Sequence, residues 1–241
     1  MGRKNMKIEI LQEKLKQGLQ VIEKISQRSL SLPILQNVLL NVENNFLGLE
    51  ATNLETGIRW WSLAGVEKEG KVLVPIKIFS GLVGLLSNKK ISLTAKKTDL
   101  VVECQNNKTN LKGFDFNEFP IIPHPKEGGS VLVDAVFFCS ALGQIVDVAS
   151  VSTVRPEISG VYLLFQDGEV KMVATDSFRL GEKKISIKKS FSGDVSIILP
   201  QQTAREIINV FGDKDGSLGI YFSPNQVLFE SMMVETKHPQ I

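Results

Sequence analysis

The hydrophobic pattern of the first half of the chain changes repeatedly between a strand period and a helix period. Residues Lys7–Ile10 alternate polar and apolar side chains, which predicts a short strand. The next segment, Leu11–Ser26, predicts an amphipathic helix with one apolar stripe. The stripe consists of Leu11, Leu15, Leu19, Ile22 and Ile25. Further strands are predicted at about 36–42, 46–51, 57–64, 71–74, 91–95, 99–104 and 108–112. Pro75 predicts the first turn of a second helix, Ile76–Ser87.

The second half of the chain repeats this order of elements. Asp134 is expected to cap a helix, and strands near 160–165, 169–174 and 178–187 follow it. A helix at Gln201–Phe211 and strands near 217–222 and 226–230 complete the pattern. The segments Asn37–Thr52 and Gly160–Thr175 align without a gap, 123 positions apart. The aligned identities are Val38, Leu40, Ala51 and Thr52 with Val161, Leu163, Ala174 and Thr175. We infer an internal duplication.

The repeat predicts two domains, 6–124 and 129–241. The segment between them, Ile121–Ser130, contains two prolines and two glycines, which is typical of a linker. Each domain consists of βαβββ twice over, which is an α+β fold. Two helices in so short a domain cannot cover both faces of a sheet. We therefore expect the helices to lie together on one surface, against antiparallel sheets.

Composition and charge exclude several classes of protein. The net charge is +2, which excludes a protein that holds nucleic acid by overall charge, but not one with a single basic face. We expect neither a membrane-spanning segment nor a secretory signal, because no apolar stretch has the required length and position. Cys104 and Cys139 are expected to be buried free thiols. His124 and His238 stand beside prolines and are expected to be loop residues.

The sequence shows no familiar catalytic motif. It lacks the patterns of a nucleophile elbow, a zinc protease, a phosphate loop and a dinucleotide-binding turn, so no cofactor or metal ion is expected. Asp176 follows a predicted strand at the place that Asn53 holds in the first repeat. We interpret both as turn-capping residues. The pattern favours a binding protein over an enzyme.

The helices also predict a basic face opposite their apolar stripes. The first helix presents Lys14, Lys16 and Lys24, and Arg28 follows just beyond it. Lys77 belongs to the second helix and Arg205 to the fourth. A surface of this kind would contact phosphates without reading bases. Its binding would be weak, independent of sequence and sensitive to salt.

Four short motifs carry a resemblance to a known family. They are SLPILQNVLL at Ser31–Leu40, ATNLE at Ala51–Glu55, EFP at Glu118–Pro120 and VATDSFRL at Val173–Leu180. In that order they resemble the (T/S)LPILxN(I/V)LL, TDLE, (D/E)FP and ATDxxRL segments of the bacterial sliding clamp, the β subunit of DNA polymerase III. Because the motifs fall in order across nearly the whole chain, the sequence is identified as a member of this family.

The resemblance implies a DNA clamp fold in which helices face the DNA and antiparallel sheets lie outside. It implies a ring around duplex DNA that tethers the replicative polymerase and has no reaction of its own. The implied partners are double-stranded DNA, the DNA polymerase III catalytic subunit and the clamp loader. Other polymerases and repair proteins are expected to bind through short hydrophobic motifs. The implied location is the bacterial cytoplasm.

The resemblance also implies site residues. The pocket for partner peptides is expected at Ile158, Thr175, Ser177, Phe178, Arg179 and Leu180. The expected DNA contacts are Arg28, Lys77 and Arg155, together with Lys14, Lys24 and Arg205. If the strand continues past Thr175, Phe178 and Leu180 share one face, and Phe178 is then either a pocket residue or a core residue.

The chain departs from the family pattern in its domain number. The family subunit has three such domains, whereas two are predicted here. The counterpart of Phe119-Pro120 would fall near residue 246, so we expect the last strand of the second domain and the third domain to be absent. Such a chain is expected not to close a ring, whereas the full-length protein is expected to be a homodimer. One alternative is a two-domain clamp that closes as a trimer, and another is an enzyme on a similar scaffold.

Overall fold

The chain folds into two compact units, Met1–Ile122 and Pro123–Ile241. The computed structural model describes residues 6–26, 32–124, 129–152, 154–187 and 193–232. Both units contain antiparallel sheets with two helices packed against them. The predicted α+β class is therefore confirmed.

The first unit, called unit 1, contains two helices and nine strands in its described residues. In chain order they are β1 (Lys7–Leu11), α1 (Gln12–Ser26), β2 (Asn37–Glu43), β3 (Phe46–Thr52), β4 (Gly57–Leu63), β5 (Gly65–Lys68), β6 (Gly70–Pro75), α2 (Ile76–Leu85), β7 (Lys90–Lys96), β8 (Asp99–Cys104) and β9 (Asn107–Leu111). Short 3₁₀ turns lie at Pro33–Gln36 and Phe116–Glu118.

Each half of unit 1 gives its first strand to the sheet of the other half. Strand β1 pairs with β7, with Ile8 opposite Leu93, and β6 pairs with β2, with Val74 opposite Val38. The resulting antiparallel sheets have the orders β5-β1-β7-β8-β9 and β4-β3-β2-β6. Because each sheet needs strands from both halves, neither half can complete its sheet alone.

The helices of unit 1 bury their apolar stripes against these sheets. Leu15, Leu19, Ile22 and Ile25 of α1 are at most 2% exposed. Each such side chain contributes roughly 1.5–3 kcal/mol to folding by its removal from water. Helix α1 also contacts α2, and the buried amide of Gln12 donates to the Val83 carbonyl over 2.8 Å. The two helices therefore form one layer, as the sequence predicted.

The second unit, called unit 2, repeats the arrangement. Its elements are β10 (Ser130–Asp134), α3 (Ala135–Ile145), a 3₁₀ turn (Val146–Val148), β11 (Gly160–Gln166), β12 (Glu169–Thr175), β13 (Leu180–Ser186), β14 (Val195–Pro200), α4 (Gln201–Phe211), β15 (Ser217–Ser223) and β16 (Gln226–Met232). Within the described residues its sheets have the orders β10-β15-β16 and β13-β12-β11-β14. Strands β10 and β14 make the same exchange as β1 and β6. A counterpart of β9 would lie after Met232, the last residue that the structure describes.

The interior of unit 2 agrees with the sequence analysis at several points. The Asp134 carboxylate accepts a hydrogen bond from the Phe137 amide over 3.1 Å and caps α3. Cys104 of unit 1 and Cys139 of unit 2 are both buried and free, as predicted. Burial raises the pKa of the Cys139 thiol to about 11, so the reactive thiolate is scarce at neutral pH.

Four sequence predictions differ from the structure in detail. Leu11 ends β1 instead of starting the helix, and its side chain is half exposed. Strand β5 was not predicted, because it is short and polar and pairs through its backbone with β1. Pro75 closes β6 and precedes the first turn of α2. The strand predicted at 178–187 begins only at Leu180, because a turn occupies the preceding residues.

Candidate functional site

The helix layer of unit 1 exposes a set of lysines. Lys14, Lys16 and Lys24 of α1 are all exposed, outside the buried stripe of that helix, and Lys77 is exposed on α2. Within the described residues, none of these four ammonium groups pairs with a carboxylate. The nearby carboxylate of Glu23 accepts a hydrogen bond from the Ser80 hydroxyl over 2.9 Å. The layer therefore presents unneutralised positive charge and exposed amides at Gln17 and Gln20.

The helix layer of unit 2 is much less basic. Helix α3 contains no charged residue, and α4 contains one cation, Arg205. The Arg205 guanidinium lies 2.5 Å from the carboxylate of Asp147, which stands in the 3₁₀ turn after α3. Asp147 therefore neutralises the only cation on these two helices. The sequence grouped Arg205 with the DNA-facing cations because residues 58 positions apart show no sign of pairing in a linear pattern.

The other two predicted DNA contacts lie outside the helices. Arg155 is exposed in the loop before β11, where its carbonyl accepts hydrogen bonds from the Ile158 amide and the Ser159 hydroxyl. The backbone of this loop is thus fixed while the guanidinium stays in solvent. Arg28 lies outside the described residues.

A five-residue turn, Thr175–Arg179, joins β12 to β13. The Thr175 hydroxyl donates to the Arg179 carbonyl over 2.7 Å and accepts from the Ser177 amide over 3.1 Å. The Asp176 carboxylate accepts from the amides of Phe178 and Arg179, at 2.9 and 2.7 Å. Ser177 has a φ of 77°, in the left-handed region that such turns require. The turn is therefore held by side chains bonded to its own backbone.

The charge on Asp176 is strongly stabilised in this turn. Hydrogen bonds from the backbone amides of Arg179 and Phe178, and the Arg179 guanidinium 3.0 Å away, lower the pKa of Asp176 to about 2. The same guanidinium donates to the carbonyl of Asp147 over 3.4 Å. Asp147 thus contacts both Arg179 and Arg205.

The turn presents two large apolar side chains to solvent. Phe178 is 95% exposed and Leu180 is 69% exposed. Phe178 is therefore not a core residue. The strand does not continue past Thr175, because a turn capped by Asp176 intervenes, as the interpretation of Asp176 from the sequence predicted. Ile158 is partly buried two residues before β11. The pairing of Tyr162 with Val173 and of Thr175 with Leu180 brings Ile158, Thr175 and Leu180 to the same end of the sheet.

The part of the chain that the structure describes shows neither a metal-ligand cluster nor a helix able to span a membrane. It contains no cluster of three or more His, Cys, Asp or Glu side chains that could hold a metal ion. Likewise, none of the described helices combines the length and apolar character needed to span a membrane.

Comparison with known proteins agrees with this architecture. Residues 6–123 match the DNA polymerase III beta subunit, N-terminal domain, and residues 133–238 match the central domain of the same subunit. The solved DNA polymerase sliding clamp of Bacillus subtilis superposes with a TM-score of 0.89 at 20% identity, over 98% of this chain and 66% of that chain. The beta clamp of Helicobacter pylori, solved bound to a DNA ligase peptide, gives a TM-score of 0.84 at 23% identity, over 98% of this chain and 68% of that one.

The fold is therefore that of the sliding clamps, with helices layered on antiparallel sheets in duplicated units. The chain belongs to the DNA polymerase III beta subunit family. It is 26% identical over 217 residues to the beta sliding clamp of Staphylococcus epidermidis, a match that covers 86% of this chain and 57% of that protein. A match to the Staphylococcus aureus protein has 24% identity over 218 residues and again covers 57% of the relative. The chain thus spans little more than half the length of these curated relatives.

Proposed function

We propose that this protein is a DNA sliding clamp subunit, which contributes to a ring around duplex DNA and tethers the replicative polymerase in the bacterial cytoplasm. The observation that carries the proposal is the unit 1 helix layer, where Lys14, Lys16, Lys24 and Lys77 are exposed without carboxylate partners among the described residues. Family membership supports the same role. The role is a tether, with homodimeric ring closure and loading by the clamp loader as its assembly steps.

The chemistry of the helix layer suits contact with a DNA backbone of any sequence. Ammonium groups neutralise phosphates as point charges and carry no base specificity. Because only a few cations are involved, the affinity of the chain for DNA should be low, and it should fall further with added salt. Enclosure of the duplex, and not tight binding, would then keep a complete ring on DNA.

Charge reversal on the helix layer tests the DNA contact. A variant with Lys14→Glu, Lys16→Glu and Lys24→Glu is titrated against a fluorescent duplex at low salt. We expect at least a tenfold loss of affinity and a shallower salt dependence. The control carries the same charge change at Lys96, Lys97 and Lys112, exposed residues on the sheet side of unit 1. Equal loss in both variants would mean that binding depends on net charge alone, and the helix layer would not be the DNA contact.

For partner proteins, we propose docking at the end of the unit 2 sheet formed by Ile158, Thr175, Ser177, Phe178, Arg179 and Leu180. Phe178 and Leu180 offer apolar surface, and the Arg179 guanidinium offers directed hydrogen bonds beside it. Short peptides with Leu and Phe anchors suit this combination. The Helicobacter pylori clamp bound to a ligase peptide supports such docking in the family. The catalytic polymerase subunit, the loader and repair proteins are the proposed users.

Alanine substitutions at the turn test this site. Phe178→Ala and Leu180→Ala should each weaken binding of a labelled peptide with Leu and Phe anchors by about 1–3 kcal/mol, the scale of interface hot spots. Thermal melting should be unchanged, because both side chains are exposed. Leu54→Ala is the matched control, since Leu54 is 61% exposed on the equivalent turn of unit 1. Unchanged peptide affinity in both turn variants, with intact folding, would rule out this pocket.

A further inference from the structure

The two helix layers can be compared position by position, because α3 begins 123 residues after α1. Lys14 of α1 corresponds to Phe137 of α3, whose side chain is 56% exposed. In the other helix of each unit, Lys77 and Gln202 are both the second residue, and both are exposed. Unit 2 therefore has a neutral side chain at both of these exposed positions.

At a third position the charge is reversed. Lys24, in the last turn of α1, corresponds to Asp147, which lies 123 positions later in the 3₁₀ turn after α3. The Lys24 side chain is exposed and has no carboxylate partner among the described residues. The Asp147 carboxylate binds the guanidinium of Arg205. An exposed cation in unit 1 is thus replaced by an anion in unit 2.

A polar contact bridges the two helices of each unit at one equivalent place. In unit 1 the Ser80 hydroxyl donates to the Glu23 carboxylate over 2.9 Å. Arg205 is the fifth residue of α4, as Ser80 is of α2, and it donates to the Asp147 carboxylate over 2.5 Å. The bridge is repeated, but in unit 2 it consists of an ion pair that contains the only cation of α3 and α4.

The turn that contains Asp147 is held in place by its backbone. The side-chain amide of Gln201, at the start of α4, donates to the carbonyls of Val146 and Ala149 over 3.0 and 3.2 Å. From the other side, the Arg179 guanidinium donates to the Asp147 carbonyl over 3.4 Å. Because these bonds do not involve the Asp147 carboxylate, loss of its charge should leave the turn beside α4.

We propose that Asp147 limits the affinity of this chain for the DNA backbone by keeping the helix layer of unit 2 electrically neutral. The side chains of Arg205 and Asp147 are 50% and 70% exposed, so a phosphate that approaches Arg205 meets both charges. Attraction by the guanidinium and repulsion by the carboxylate then largely cancel, since the two charges lie close together. The inference rests on the proposed function, because it concerns the DNA contact of the same helix layers.

A neutral layer in unit 2 suits a protein that has to move along DNA. A guanidinium binds phosphate through two directed hydrogen bonds, so an unpaired Arg205 would hold the backbone more firmly than a lysine does. Each added phosphate contact also raises the salt-dependent affinity for DNA of any sequence. Asp147 therefore prevents unit 2 from adding a firm contact to the weak ones that the lysines of unit 1 offer.

Removal of the Asp147 charge tests this inference. Asp147→Asn keeps the size of the side chain and leaves Arg205 without its carboxylate. Titrated with a fluorescent duplex at low salt, this variant should bind about threefold more tightly than the wild-type chain, and the slope of log affinity against log salt should steepen by roughly 0.9, the change for one phosphate contact. Adding Arg205→Gln to Asp147→Asn should return the affinity to within about twofold of the wild type, because the pair has no net charge.

The matched control removes one negative charge elsewhere in unit 2. Glu182→Gln breaks the exposed pair of Glu182 with Lys171 on β12 and β13, whose charged atoms lie 2.9 Å apart. It raises the net charge by the same amount as Asp147→Asn, and its DNA affinity should stay close to that of the wild type. Circular dichroism and thermal melting check folding, and Asp147→Ser replaces Asp147→Asn if that variant unfolds.

The outcomes separate this inference from the proposed function. Unchanged affinity in Asp147→Asn, while the variant with Lys14, Lys16 and Lys24 changed to Glu loses binding, would overturn the inference and leave the proposed function standing. An equal gain in Asp147→Asn and Glu182→Gln would also overturn it, because net charge alone would then set the affinity. If neither Asp147→Asn nor the lysine variant changes binding, the helix layers do not contact DNA, and both the inference and the proposed DNA contact are wrong.

Discussion

The two units contain the same turn with different chemistry. In unit 1 the Thr52 hydroxyl accepts from the Leu54 amide and donates to the Thr56 carbonyl, both over 3.0 Å. Thr175 makes the equivalent pair of bonds in unit 2. Asn53 accepts from two amides as Asp176 does, but it carries no charge and has no arginine beside it. The backbone of the turn is therefore repeated, and the charge and the exposed aromatic ring belong to unit 2 alone.

The helix layers show a second difference, in their packing and their charge. Gly18 of α1 faces Trp60 so closely that a Cβ atom would lie 2.5 Å from the indole ring. Gly143 of α3 has only Ile208 near it, at 4.0 Å. The close approach in unit 1 brings α1 down onto the edge strand β4. The comparison shows that a repeated fold leaves surface chemistry free to diverge while its turns and strand pairing stay fixed.

The largest expected effect comes from the helical glycines. Gly18→Ala should destabilise unit 1 by about 1–3 kcal/mol, because the methyl group forces Trp60 or the helix to move. Gly143→Ala should instead stabilise unit 2 by about 0.5–1 kcal/mol, since the site has room and alanine favours the helix. Both tryptophans of the chain, Trp60 and Trp61, lie in unit 1, so their fluorescence in urea follows that unit alone. Circular dichroism follows both units.

Equal stability changes in the two glycine variants would contradict this account of the packing. A destabilised Gly18→Ala variant with an unchanged tryptophan spectrum in the native state would also contradict it. In that case the cost would arise away from Trp60, and the close approach of α1 to β4 would not be its source.

Much of this architecture was predictable from local patterns. The α1 stripe, the Asp134 cap and most strands follow from apolar spacing and turn residues, which act over a few positions. The exchange of β1 and β6 between sheets was not predictable, because strand pairing depends on contacts between distant residues. Strand β5 was missed because a four-residue polar strand on a sheet edge has no apolar alternation.

The features of the candidate site were likewise predictable only where they depend on local sequence. The exposed lysines of α1 were found because helical spacing alone tells which side faces solvent. The neutralisation of Arg205 by Asp147 was missed, since it joins α4 to a turn far earlier in the chain. The exposure of Phe178 was left open, because the sequence could not decide between a pocket residue and a core residue. Local chemistry is therefore visible in sequence, and pairing between elements is not.

The turn threonines should produce a smaller effect that differs between the units. Thr52→Val should cost about 1–2 kcal/mol, because Thr52 is 6% exposed and its loss leaves the Leu54 amide without a partner in a poorly hydrated place. Thr175→Val should cost about 0.5–1 kcal/mol, since water reaches the more open turn. Urea unfolding measures both, with tryptophan fluorescence for unit 1 and hydrogen exchange for unit 2. A larger loss of unfolding free energy in Thr175→Val than in Thr52→Val would contradict the argument that burial of the turn sets the cost.

The smallest expected effect is a response of the Asp176 turn to acid. The folded pKa of Asp176, about 2, lies below its ordinary value of about 3.9, so the carboxylate favours the folded turn when ionised. This contribution is complete above about pH 4 and is lost as the pH falls toward 2. In that window the amides of Phe178 and Arg179 should lose protection from exchange. The amides of Glu55 and Thr56 should keep their protection from exchange, because Asn53 does not titrate.

The variant Asp176→Asn should abolish the acid step in unit 2 and make its turn behave like that of unit 1. Carboxyl chemical shifts between pH 2 and pH 6 measure the titration directly, and a midpoint for Asp176 near 4 would show that the turn does not stabilise its charge.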